Sequence, residues 1–189
     1  LKRIIDFGIS LLLLAFTSPL ILISAILIKL EDNGPIFYSQ IRTGKGCKPF
    51  SVYKLRSMYI NSEKNGAEWS TKNDKRITKV GSFLRKMRID ELPQLICVIK
   101  GDMSLIGPRP ERKEFNILLE KEDRNYNIRH LVRPGLSGWA QVNYPYGSSI
   151  KDSFVKLSYD LYYIKNFSIW LDLLIFIKTI KIVFNFKNS

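Results

Sequence analysis

The stretch FGISLLLLAFTSPLILISAILI, running from Phe7 to Ile28, holds no charged residue. It exceeds the roughly 18 apolar residues at which a membrane-spanning helix becomes the default reading. A cleavable leader fits less well, because the run is long, no small-residue cleavage site is evident, and Glu31-Asp32 follow closely. Near the middle stand Ser18 and Pro19. Pro19 has no N–H and its ring collides with the carbonyl one turn back, so a helix bends or breaks there. Each limb of about 11 residues reaches ~15 to 18 Å, roughly half of a ~30 Å hydrocarbon core. A re-entrant hairpin could therefore enter and leave through one face, bringing Lys2, Arg3 and Lys29 to one interface. A kinked span is equally open on this ground. In either arrangement Thr17 and the Ser18 hydroxyl are the local groups able to bond carbonyls that Pro19 leaves free. The basic bulk of the chain belongs on the cytoplasmic side.

Outward from this segment, Ile36 to Arg42 and Pro49 to Leu55 are rich in β-formers, and Thr43-Gly44-Lys45-Gly46 between them supplies turn chemistry, which predicts a β-hairpin. The Gly-Lys-Gly is not a P-loop, since the Walker spacing and its following Ser or Thr are missing. Residues 61 to 76 are polar and aperiodic, the pattern of a surface loop and more often an inert connector than a lid. Val80, Phe83, Leu84 and Met87 form a helical stripe. A second helix is expected from Asp90, with Leu92, Leu95, Ile96 and Ile99 at i, i+3, i+4 and i+7, Pro93 in the first turn and Gly101 as its stop. In the final third, Tyr159, Tyr162, Tyr163 and Trp170 precede an apolar stretch broken by Asp172, Lys178 and Lys181. Helices lying at a membrane interface and ordinary core helices both fit it.

Composition narrows the chemistry. The 189 residues carry a formal net charge of +13, which favours phosphates, nucleic acid or an anionic membrane as partners. Cys47 and Cys97 show no CxxC spacing, and His130 is the only histidine, so zinc, disulfide and Ser-His-Asp chemistries are poorly served. Within this basic chain Asp90 and Glu91 are adjacent and follow Arg85, Lys86 and Arg88. An acid pair among cations suits metal-assisted phosphoryl transfer, where a carboxylate must approach a phosphate that repels it. Helix capping explains the same two residues more plainly. Two prolines flank Arg109 and restrict its backbone, which fits forked recognition of phosphate or a uracil edge. A further Pro/Gly-spaced loop carries Arg133 and Gln141.

Taken together, Ser18-Pro19, Lys54-Leu-Arg56-Ser-Met58, Asp90-Glu91-Leu-Pro-Gln, Lys100-Gly-Asp-Met-Ser, Gly107-Pro-Arg109-Pro and Arg133-Pro-Gly resemble, in register over nearly the whole chain, the bacterial sugar transferase family of monotopic phosphoglycosyl transferases. The resemblance implies an α/β protein, mainly α with a small β-hairpin. Residues 1–30 would form the re-entrant helix-break-helix at Ser18-Pro19, and residues 31–189 a compact cytosolic catalytic domain with interfacial amphipathic helices. It implies an enzyme at the cytoplasmic face of the bacterial inner membrane that moves a sugar 1-phosphate from a UDP-sugar to undecaprenyl phosphate, releasing UMP and starting a surface polysaccharide or glycoconjugate. Asp90 corresponds to the nucleophilic aspartate and Glu91 to its neighbour, with Mg²⁺ at the pair. Arg85 matches a phosphate-binding arginine, Arg109 the arginine that meets the nucleotide and Lys54 an active-site lysine, with Arg56, Arg88, Arg133 and Gln141 as supporting candidates for substrate binding. Phospholipid is an implied partner and nucleic acid is not.

Asn143-Tyr-Pro-Tyr-Gly departs from the Asn-Gly-Arg of many members, and any sugar preference tied to that loop does not carry over. This and the opening Leu1 fit a branch in which the domain ends a longer chain with further membrane segments upstream; a homo-oligomer is the other partner expected. Two alternatives remain: direct phosphotransfer on the same residues, and a membrane-tethered basic module for nucleic acid or lipid. The second gives the acid pair no task.

Overall fold

A computed structural model describes residues 1–60, 62, 74–145, 147 and 149–184. Most of the polar segment 61–76 lies outside the described residues. Among the described residues the protein is mainly helical, with two small two-stranded sheets.

Helix α1 spans Lys2–Asp32 and carries Pro19 inside it. The Ser18 hydroxyl donates to Ala15 O at 2.8 Å, the carbonyl that Pro19 cannot serve, and Thr17 Oγ1 donates to Leu13 O at 2.7 Å. Most of the middle of α1 is exposed, while residues near both ends pack on the rest of the protein. Near the N-terminus, the Arg3 guanidinium donates to Val98 O and Ile99 O, and Asp6 accepts from Ser104 Oγ at 2.7 Å. Near the C-terminus, Ile28 is buried in a cluster with Leu55, Leu84 and Ile89. The helix stops at Asn33, whose left-handed conformation returns its N–H to Lys29 O.

Strands β1 (Phe37–Thr43) and β2 (Pro49–Leu55) pair antiparallel with Phe37 opposite Leu55, the expected hairpin shifted by one residue at its first strand. Helix α2 (Lys79–Lys86) starts at Thr78, whose side chain accepts from Gly81 N, and Glu31 of α1 accepts from the N–H groups of Lys79 and Val80. Those amides would otherwise be orphaned. A Cβ on Gly81 would stand 2.1 Å from Ser57 O, so only glycine lets α2 lie this close to the chain leaving β2.

The expected second helix differs at its start. A 3-10 turn, Ile89–Gln94, comes first and α3 covers only Leu95–Lys100, stopping at Gly101 with φ 98°. Pro93 inside the turn cannot donate a backbone hydrogen bond, and the turn opens from Arg88, whose φ of 58° swings the chain out of α2. Asp90 therefore lies within the first turn and caps nothing.

Strand β3 (Ser104–Ile106) pairs in parallel with β4 (Gly135–Ser137). A Cβ on Gly135 would come within 2.1 Å of Gly107 N, so the two Pro/Gly loops meet backbone to backbone. Helix α4 (Lys113–Glu122), the 3-10 run Arg124–Leu131, α5 (Trp139–Asn143), α6 (Ile150–Lys165) and α7 (Ile169–Phe184) complete the order. Helix α6 opens with a reciprocal Ser149–Asp152 capping box. Tyr163 and Ile175 join α6 and α7 to Ile106 in one core cluster, while Leu119, Tyr126 and Leu157 form another. Along α7, Trp170, Leu173, Leu174 and Ile177 remain exposed.

Candidate active site

A cavity of about 810 Å³ opens between β2, the 3-10 turn, the Arg109 loop, α5 and α6. Strand β2 brings Lys54 to its wall, and the 3-10 turn brings Asp90 and Glu91, both buried. Glu91 Oε1 accepts from Lys54 Nζ at 2.7 Å and from Arg109 Nη2 at 2.5 Å, and Oε2 accepts from Arg109 Nη1 at 3.4 Å. This is the two-pronged contact that a proline-restrained arginine can make on a carboxylate. Among the described residues the Asp90 carboxylate has no hydrogen-bond or ion-pair partner, although it faces the same cavity.

The two neighbours are consequently driven apart. Burial alone would raise the Glu91 carboxyl, but Arg109 and Lys54 outweigh it and hold Glu91 well below the usual carboxylate range. Asp90 is raised to about 6, first by burial and then by the negative charge of Glu91, with Lys54, Arg85 and Arg109 opposing. Burial pushes Lys54 down, and Glu91 raises Arg109. One acid is thus a fixed anion locked into an ion-pair network, and the other has its oxygens available and is poised between protonated and ionised.

The expected residues separate into three groups. Lys54, Arg85, Arg88, Asp90, Glu91, Arg109 and Gln141 line the one cavity. Gln141 donates through Nε2 to Leu136 O at 3.2 Å, while its buried Oε1 has no partner among the described residues. Arg56 also reaches the wall, yet its guanidinium is spent on both oxygens of Asp32, where it ties β2 to the end of α1. Arg133 lies outside the cavity, donating through Nε to Gly101 O at 2.8 Å. Ser18 and Pro19 stand in the exposed middle of α1.

Other wall residues escape a local reading of the sequence. Arg42 of β1 donates to Pro110 O at 3.2 Å and meets Glu111. Buried Arg129 donates to the backbone carbonyl of Arg109 at 2.8 Å and to the Tyr126 hydroxyl, and lies 2.8 Å from Asp160. It thereby braces the backbone from which Arg109 reaches Glu91. Burial raises Asp160 to about 6, with Arg129 opposing. A signal did exist: Leu157, Asp160 and Ile164 share one face of α6, and an acid on an apolar face requires a partner.

The donor set fits a Mg²⁺ that arrives with a diphosphate. Asp90 offers unengaged oxygens beside Glu91, and Mg²⁺ characteristically takes one or two carboxylates plus substrate phosphates. Among the described residues there is no group of three or more His, Cys, Asp or Glu able to cage an ion without such a substrate.

Comparison with known proteins gives a consistent result. The family described as bacterial sugar transferase matches residues 1–186. Over 183 residues the chain is 50% identical to a UDP-N-acetylgalactosamine-undecaprenyl-phosphate N-acetylgalactosaminephosphotransferase of Aeromonas hydrophila, covering 97% of this chain and 43% of that protein. A putative undecaprenyl-phosphate N-acetylgalactosaminyl 1-phosphate transferase of Bacillus subtilis is 54% identical over 129 residues, 68% of this chain and 72% of that one. A UDP-glucose:undecaprenyl-phosphate glucose-1-phosphate transferase of Escherichia coli is 38% identical over 182 residues, 95% of this chain and 39% of that one. The chain thus spans less than half the length of the Aeromonas and Escherichia relatives.

Proposed function

The chain belongs to the bacterial sugar transferase family, and on that premise we propose that it transfers a sugar 1-phosphate from a UDP-sugar to undecaprenyl phosphate, releasing UMP, through a covalent sugar-phosphate on Asp90. The observation that carries this reading is the inequality of the acid pair. Glu91 is held by Lys54 and Arg109, whereas Asp90 faces the cavity and has no hydrogen-bond or ion-pair partner among the described residues.

In this mechanism an ionised Asp90 oxygen forms a bond to the phosphorus that bears the sugar. The bond from that phosphorus to the bridging oxygen breaks, and its electrons leave with UMP. Arg85 and Arg88, on the same wall, offset charge building on the phosphoryl oxygens. Glu91 keeps Lys54 and Arg109 fixed beside Asp90, so their positive field need not reorganise during the reaction. Asp90, with the less engaged Oε2 of Glu91 beside it, would hold a Mg²⁺, which would supply Lewis-acid neutralisation of the diphosphate. A phosphate oxygen of undecaprenyl phosphate then attacks the same phosphorus and returns the carboxylate of Asp90.

The lipid step calls for a site at headgroup depth, and a re-entrant α1 would provide it. A straight helix would separate residues 3 and 28 by ~37 Å, whereas the helical stretch from Ile89 to Val98 near which both ends pack is ~16 Å long. That mismatch favours a bend at Pro19 and a hairpin, and the basic bulk of the chain favours entry from the cytoplasmic face. The exposed apolar residues of α7 would lie at the same interface. The two relatives named for N-acetylgalactosamine make UDP-N-acetylgalactosamine the first donor to test.

Incubation with a UDP-sugar labelled in the sugar, without lipid acceptor, should leave label on the protein and release an equivalent of UMP. Asp90→Asn should abolish both. UMP release that requires acceptor, with no labelled protein at any time, would replace the covalent route by direct transfer.

A further inference from the structure

Arg133 is the expected substrate residue that the catalytic cavity does not use. It opens instead on a second, smaller cleft of about 240 Å³, whose lining shares no residue with the first. Four cations from three parts of the chain converge there: Lys2 and Arg3 from the start of α1, Lys45 from the β1–β2 turn, and Arg133 from the loop before β4. Two of the guanidiniums are fixed over one residue. Arg3 spans Val98 O and Ile99 O, Arg133 Nε holds Gly101 O, and a Cβ on Gly101 would be 3.1 Å from Arg3 Nη2. The carbonyls closing α3 attract cations, so these two like charges are held together before any ligand arrives.

Two acids nearby are engaged by hydrogen bonds or an ion pair, and Asp102, beside Gly101, is exposed to solvent. Asp6, the one acid in the lining, accepts from Ser104 Oγ and Leu105 N, and Asp172 accepts from Lys2 at 2.5 Å. The Lys45 ammonium has no partner among the described residues and is exposed. With Lys2 paired to Asp172, the guanidiniums of Arg3 and Arg133 and the Lys45 ammonium still outnumber Asp6 in the lining, and such an excess of positive charge favours an anionic ligand.

The surroundings say which kind. Phe167 lines the cleft and is 48% exposed, and the chain neighbours of the lining residues include Leu1 at 81% and Leu131 at 64% exposure. The cleft also lies at the start of α1, where the chain meets the membrane under either a hairpin or a span. A cationic pocket with an apolar rim at that depth matches the boundary between a phosphate headgroup and its acyl chains, whereas a free nucleotide would leave the rim wet.

We propose that the cleft formed by Arg3, Lys45 and Arg133 holds the phosphodiester headgroup of an anionic membrane phospholipid, a lipid site separate from the catalytic cavity. The site fastens the foot of α1 and the β1–β2 turn to the membrane surface. It depends on α1 entering the bilayer and not on the transfer chemistry.

The test reconstitutes the chain in phosphatidylcholine nanodiscs doped with phosphatidylglycerol, releases it into mild detergent, and identifies the lipids retained by native mass spectrometry. The wild type should retain phosphatidylglycerol above its share of the bilayer. Lys45→Ala should lower that enrichment about fivefold, and Lys45→Ala with Arg133→Gln further. Lys29→Ala, which removes an exposed cation near the other end of α1, should leave it intact. Because Arg133 also holds a backbone carbonyl, the melting temperature of the double variant is compared with that of the single, and the exposed Lys45 carries the decision if the double is misfolded. No enrichment in the wild type would overturn the proposal, as would enrichment unchanged in Lys45→Ala. Complete displacement of phosphatidylglycerol by inorganic phosphate would also overturn it, leaving a simple anion site.

Discussion

Lys54 Nζ donates to Glu91 Oε1 at 2.7 Å, joining the second strand of the hairpin to the acid pair across residues 37 apart in sequence. Replacing the ammonium with a chain of similar length, Lys54→Met, leaves Glu91 to Arg109 alone. A charged hydrogen bond of this kind contributes about 1.5 to 3 kcal/mol, so kcat/KM for UMP release should fall roughly 10- to 100-fold. A smaller effect on melting temperature should accompany it, since the lysine is partly exposed.

The raised carboxyl of Asp90 makes function and stability pull in opposite directions. A carboxyl at about 6 in the folded chain and near 3.8 when unfolded binds its proton more tightly in the folded state. Its stabilising contribution is therefore complete below about pH 4 and is lost as pH rises through 6. Asp90→Asn should accordingly raise the melting temperature at pH 7.5 by a few degrees while abolishing covalent labelling. If Asp90 is the nucleophile, labelling of the wild type by a UDP-sugar should rise with pH through about 6, where its carboxyl ionises. Mg²⁺ bound at the pair would move that limb to lower pH, so chelation with EDTA should both slow labelling and shift the limb upward.

Arg129 braces the backbone of Arg109 and neutralises Asp160 in one buried cluster. Arg129→Met leaves Asp160 buried without its counter-charge, a change that commonly costs about 3 to 5 kcal/mol. Adding Asp160→Leu should recover most of the stability, read as melting temperature. It should not recover kcat, because the carbonyl of Arg109 still lacks its donor.

Pro19→Ala restores an N–H able to reach Ala15 O, the carbonyl now served by Ser18. If α1 is a re-entrant hairpin bent at Pro19, a straighter helix would place the cavity at the wrong depth for the lipid phosphate. Labelling of the protein by the UDP-sugar should persist, while transfer to undecaprenyl phosphate falls. Equal loss of both steps would mean that Pro19 acts on the whole fold rather than on depth.

Local chemistry made much of this protein legible. The uncharged run at Phe7–Ile28, the β-formers on either side of Thr43–Gly46, the stripe of α2 and the stop at Gly101 each depend on residues a few positions apart, where sequence pattern and backbone geometry are tightly linked. The start of the second helix was less so. Pro93 was compatible with a first α-turn, but the positive φ of Arg88 and the packing of the turn against β2 selected a 3-10 geometry.

By itself, then, the sequence determined the apolar first helix, the β-hairpin, the stripe of α2 and the stop of α3, and it set an adjacent acid pair in a basic chain, because periodicity, turn chemistry and ordered motifs are written along the chain. Only the tertiary structure decided what each charge does. Glu91 became the anchored acid and Asp90 the available one, Arg56 was drawn to Asp32, Arg133 was drawn to Gly101, and Arg129 found Asp160. A guanidinium or carboxylate is matched to its partner by proximity in space and by burial, and neither can be read from neighbours along the chain.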